Sequence, residues 1–72
     1  MNVQIERGTD VNCALFTALA DIQNHETSLA GALICLRERF HSAHPLYWFY
    51  QGSNHIAIQS HNHKQRVAII KE

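Results

Sequence analysis

Strands at both ends and a helical middle predict an α+β fold, an antiparallel β-sheet carrying one helical layer. Three observations carry this. The opening "MNVQIER" alternates apolar and polar residues, the period of a half-buried strand. Between residues 11 and 40, apolar side chains recur at helical spacing. From residue 46 onward, aromatic and β-branched runs return, separated by turn-forming residues. The predicted order is β-α(α)-β-β followed by a strand or short helix, within a single small domain over residues 1–72.

In the opening strand Val3 and Ile5 share one face, and Asn2, Gln4 and Glu6 the other. Gly8-Thr9-Asp10 ends it and offers a helix N-cap at Thr9 or Asp10. Val11, Leu15, Ala18, Leu19 and Ile22 then mark one helical face, and Leu29, Leu33, Leu36 and Phe40 a second. Between them "QNHETS" reads as a turn and recap, with Thr27 or Ser28 as the second cap. The seven-residue step of Leu15, Ile22, Leu29 and Leu36 also admits one continuous helix over residues 11–42. Such a helix would be about 50 Å long and would imply a helical dimer, so a helical hairpin is preferred. "LAGALICL" allows close helix packing through Ala30, Gly31 and Ala32. Arg37 and Arg39 suit the negative end of a helix, and Pro45 predicts that the helix stops near His44.

"LYWFYQ" is a strand with aromatics on both faces: Leu46, Trp48 and Tyr50 on one, Tyr47, Phe49 and Gln51 on the other. A sheet with helices on one side covers only one of these sets. The other becomes an exposed patch, which usually marks an interface. Gly52-Ser53-Asn54 is turn chemistry. "HIAIQS" follows as a strand with Ile56 and Ile58 facing the core. "RVAIIKE" is a buried strand or a short helix, and so few residues leave both readings open.

Composition limits the function classes. A chain of 72 residues buries only about 60% of its unfolded surface, which favours dimerisation or docking on a larger partner. Apolar residues make up 46%, enough for a core. Charged residues make up 17% and cancel to zero, which argues against direct nucleic-acid binding. Six histidines that titrate between about pH 5 and 8 predict a net charge that rises on mild acidification. Cys13 and Cys35 sit in apolar helical stretches and are expected to be buried, reduced thiols. The N-terminus has no basic start and no apolar run, and no stretch has the roughly 20 apolar residues of a membrane span. A cytoplasmic location without membrane attachment is expected, and no cofactor is implied.

The histidines are the candidates for chemistry. His41-x-x-His44 and His61-x-His63 are pairs that can reach one ion, but no Cys-x-x-Cys or third ligand accompanies them. No metal site is predicted. His55, His61 and His63 lie near Lys64 and Arg66, and a histidine beside a cation can serve as general acid or base on a phosphodiester. The stretch "GSNHIAIQ...KQRVAII" resembles the hairpin of the HicA mRNA interferases, which run strand, Gly-Ser-His-His, strand, turn, basic strand. That resemblance implies a ribonuclease toxin with His55 as its catalytic histidine; the family's first histidine falls on Asn54. A second resemblance rests on "MNVQI" and "YQGSNHIAIQSHNHKQRVAII", which look like the DinI family of small DNA-damage-response proteins. It implies a β-α-β-β-α domain that modulates the RecA filament, with a helix beginning through Lys64, Gln65, Arg66, Val67 and Ile70.

Three functional classes follow. The preferred one is a non-enzymatic protein-interaction module, a small phage- or mobile-element-type inhibitor or modulator of a host nucleic-acid machine, RecA-modulator-like or anti-CRISPR-like. Its partner would be a host protein or nucleoprotein complex, bound through Tyr47, Trp48, Phe49, Tyr50, Lys64 and Arg66, with no catalytic residue. The second is the histidine-dependent ribonuclease toxin. The third is a structural homodimer whose aromatic strand is buried by its own copy.

Overall fold

The computed structural model describes residues 1–6, 11–43, 45–62 and 64–72. Its elements run β1 (Asn2–Ile5), α1 (Cys13–His25), α2 (Leu29–Arg39), β2 (Tyr47–Gln51), β3 (His55–Ser60) and β4 (Arg66–Lys71). The strands form one sheet in the order β1-β4-β3-β2, and every neighbouring pair is antiparallel. Both helices cover the same face, so the predicted α+β layering holds.

The helical middle is a hairpin of two helices. Asn12 caps α1, its Oδ1 accepting the Leu15 N–H at 2.8 Å. The predicted caps Thr9 and Asp10 lie outside the described residues. Ser28 caps α2, its Oγ accepting the Gly31 N–H at 3.1 Å, which confirms the recap read in "QNHETS". Each cap satisfies a backbone donor that has no partner within its helix. Asn12→Ala should lower stability by about 1 kcal/mol, read as a lower urea midpoint with an unchanged slope. An unmoved midpoint would show that this cap is not holding α1.

Helix α2 ends earlier than Pro45 suggested. It stops at Arg39, with Phe40 as its C-cap, because the chain must drop from the helical layer to the sheet before β2 begins. Phe40 makes that descent, its ring edge-on to Tyr47 at 5.7 Å and tilted against Phe49 at 5.8 Å. Asp21 of α1 and Arg39 of α2 form an exposed ion pair at 2.5 Å, and the hydrogen bond to Asp21 raises the Arg39 pKa. Exposed pairs of this kind add little stability.

The C-terminal stretch is a strand, not a helix start. β4 lies between β1 and β3 and pairs with both, so its apolar run is the signature of a central strand. The register shifts near Ile58 and Gln59, and Val67 and Ala68 are consecutively buried. An extra residue in one strand breaks the alternation in this way and returns Arg66 to the outer side.

The core is apolar throughout: Leu15, Leu19, Ile22 and Leu36 from the helices meet Ile56, Ile58 and Ile70 from the sheet. No polar side chain is buried among the described residues. Of "LAGALICL", Ala32 is buried while Ala30 is exposed. The expectation for the cysteines is corrected. Both are free, but Cys13 is exposed and Cys35 only half-buried. Cys13 follows the cap directly, two positions before Leu15, and so falls off the buried stripe of α1. No helix among the described residues is long and apolar enough to cross a membrane.

Candidate interaction surface

With the helices on one side, the opposite face of the sheet is left bare by the described residues. Its composition follows from the register, because side chains of directly opposed residues project to the same side. One row runs across all four strands as Gln4, Ile69, Ala57 and Tyr50. The row on one side of it holds Asn2, Lys71 and His55. The row on the other holds Trp48, Gln59 and Arg66.

The apolar part of this face gathers at β2. Trp48 is 44% exposed and Tyr50 53%, and Leu46, on the approach to the strand, is also 53% exposed. Trp48 has one flank covered by the His61 ring, whose centroid is 5.2 Å away. The His61 N–H donates to the Leu46 carbonyl at 2.9 Å, which extends the β2–β3 pairing and brings that ring alongside. At the opposite end the His55 imidazole fills the space a side chain at Gly52 would occupy, and the Gly52 N–H donates to the His55 carbonyl at 2.8 Å. A line of Leu46, Trp48 and Tyr50 is thus displayed along one edge of the bare face.

The predicted aromatic set divides across the sheet. Tyr47 is 6% exposed and faces the helices, where its hydroxyl accepts the Asn12 N–H at 3.3 Å. It ties β2 to the start of α1, and its ring is too buried to anchor a partner on the bare face. Phe49, half-buried, packs against Phe40 and the core. Trp48 and Tyr50 are the members left for a partner.

The two predicted basic residues are placed differently. Lys64 is exposed in the β3–β4 loop with φ 49°, and its carbonyl accepts from Gln59 Nε2 at 2.6 Å. Arg66 is engaged by Glu6, with Nε donating at 2.9 Å and the second nitrogen at 2.8 Å from the same oxygen. His55 lies directly across from Lys71. Among the described residues no three His, Cys, Asp or Glu side chains are grouped to hold an ion. His44 and His63, one member of each predicted pair, lie outside the described residues.

Sequence reasoning missed Ala57, Ile69 and Gln4 as neighbours of Tyr50, and His61 as the companion of Trp48. Their adjacency depends on strand order and register, which pairs residue 4 with 69 and 69 with 57. Fold and face together define a small α+β protein with one uncovered, aromatic-edged sheet surface. Compared with known family models, curated proteins and solved structures, the chain matches none.

Proposed function

We propose that this chain is a non-enzymatic protein-interaction module that works in the cytoplasm. In this reading it is a small inhibitor or modulator of a host nucleic-acid machine, in the style of RecA-modulating or anti-CRISPR proteins of phages and mobile elements. The observation that carries the reading is the line of Leu46, Trp48 and Tyr50, each about half exposed on a bare sheet face. Large aromatics left on a surface are typical anchors of protein interfaces. A protein partner is favoured over a polyanion because the chain has no net charge and Arg66 is already held by Glu6.

The test is capture from bacterial lysate with the wild-type chain and with Trp48→Ala as control bait, read by mass spectrometry. One specific machine recovered by the wild type and lost by the folded variant supports the reading. RecA in that fraction would favour the DinI-like version, and a CRISPR effector the defence-inhibitor version. Equal capture by both baits, or none by either, counts against it.

The alternative of a ribonuclease toxin is favoured by one observation, the placement of His55 opposite Lys71. Opposed residues project to the same face, so the register sets an imidazole and an ammonium on one side of the sheet, a combination suited to acid–base work on a phosphodiester. That reading requires RNA cleavage that disappears in His55→Ala. Cleavage unchanged by the substitution would remove His55 from catalysis.

A further inference from the structure

We propose that β2 pairs with β2 of a second copy about a two-fold axis through Phe49, joining two sheets into one of eight strands. The inference goes beyond the partner-binding reading and does not depend on it.

β2 is an edge strand, and its free hydrogen-bonding groups can be assigned. The bonds from His61 to Leu46 and from Gly52 to His55 bracket the β2–β3 ladder. Antiparallel ladders alternate, so Leu46, Trp48, Tyr50 and Gly52 bond inward to β3. The backbone N–H and C=O groups of Tyr47, Phe49 and Gln51 therefore point outward, away from the sheet. These three positions are symmetric about Phe49. A two-fold axis there sets Phe49 against its own copy and Tyr47 against Gln51 of the other chain, and every outward donor meets an outward acceptor.

The side chains agree with this register. It places Trp48 of each copy opposite Tyr50 of the other, on the bare face, as non-hydrogen-bonded pairs. Those are the positions where opposed side chains come closest, and aromatic pairs there are favourable. On the helical face, Gln51 of one chain arrives beside Tyr47 of the other. A groove of ≈ 350 Å³ beside Tyr47 has a mixed lining that includes Arg37, His41 and Ser42 as well as Phe40, Pro45 and Phe49.

Within Tyr47–Gln51 itself the usual guards against edge pairing are missing. Natural edge strands are usually protected by Lys, Pro or a bulge, and "YWFYQ" has no charge, no proline and a regular register with β3. The zero net charge leaves no general repulsion between copies. The other edge, β1, is one residue shorter and has only Ile5 as an exposed large apolar side chain. With two half-exposed aromatics per copy the contact falls in the small, weak class of interfaces, so association is expected at micromolar concentrations.

Sedimentation of the full chain from about 1 µM to about 1 mM brackets that range. The expected result is a monomer–dimer equilibrium, accompanied by concentration-dependent slowing of amide exchange at Phe49 and Gln51. Gln51→Pro removes an outward N–H that the monomer does not use, and proline is tolerated at such edge positions. The variant should keep the wild-type circular dichroism and weaken association about tenfold or more. A chain that stays monomeric throughout overturns the proposal. So does a dimer that Gln51→Pro leaves unchanged, or one whose added exchange protection falls on Asn2–Ile5 instead. Should Gln51→Pro unfold, the exchange pattern of the wild type decides alone.

Discussion

Ile58→Ala should lower the unfolding free energy by about 2–5 kcal/mol, the range for truncating a buried aliphatic side chain. Ile58 is 0% exposed in β3, an inner strand, with Phe49 and Ala68 as its cross-strand neighbours. Ala68 is too small to fill the vacated space, and Phe49 is held by Phe40, so the cavity will persist. Domains have about 0.05–0.15 kcal/mol of stability per residue, so a chain this short would lose a large share of its total. Urea unfolding followed by far-UV circular dichroism measures the loss. Ala57→Ser, one position earlier on the bare face, should stay within about 0.5 kcal/mol of wild type. An Ile58→Ala variant as stable as Ala57→Ser would mean that the assignment of the two faces is inverted.

Trp48→Ala should leave the chain folded and cost at least about 2 kcal/mol in partner binding, roughly 30-fold in Kd. Its indole is nearly half exposed and rests on the sheet rather than in the core, so truncation opens no sealed cavity. The loss of stability should fall below the roughly 3–5 kcal/mol typical of a fully buried aromatic. Binding to the captured partner can be measured by calorimetry, with thermal unfolding of the same samples as the control. A variant that unfolds would show that the indole is a core residue. One that binds at wild-type strength would show that the partner uses another surface.

Much of this architecture could be read from the chain because local chemistry and tertiary structure agree. The Ser28 cap, the leucine and isoleucine stripes, and the Gly52-Ser53-Asn54 turn each announce an element that the fold keeps, whereas the cap of α1 is Asn12 rather than the expected Thr9 or Asp10. Legibility fails where a residue's role is set across the sheet. "RVAIIK" was ambiguous because its pattern reflects burial between β1 and β3 and a register shift at Ile58 and Gln59. Pro45 misplaced the end of α2 because the descent to the sheet, not the proline, dictates where the helix stops. Tyr47 looked like its neighbours in sequence, yet its hydroxyl belongs to the start of α1, 35 residues away. Cys13 shows the same limit on a smaller scale, since an apolar surrounding sequence says nothing of which side of the helix it occupies.

The strand order also sets a timetable. β2, β3 and β4 form a meander of neighbours in sequence, and each hairpin closes over a short loop. β1 meets β4 from the far end of the chain, with Asn2 opposite Lys71. Closing so long a loop costs more entropy and comes later than local pairing. The meander and helices are therefore expected to assemble first, with β1 docking last and detaching first. While β1 is away, β4 takes its place as an open edge, bearing Val67, Ile69 and Ile70, and that transient form is where intermolecular strand exchange would begin.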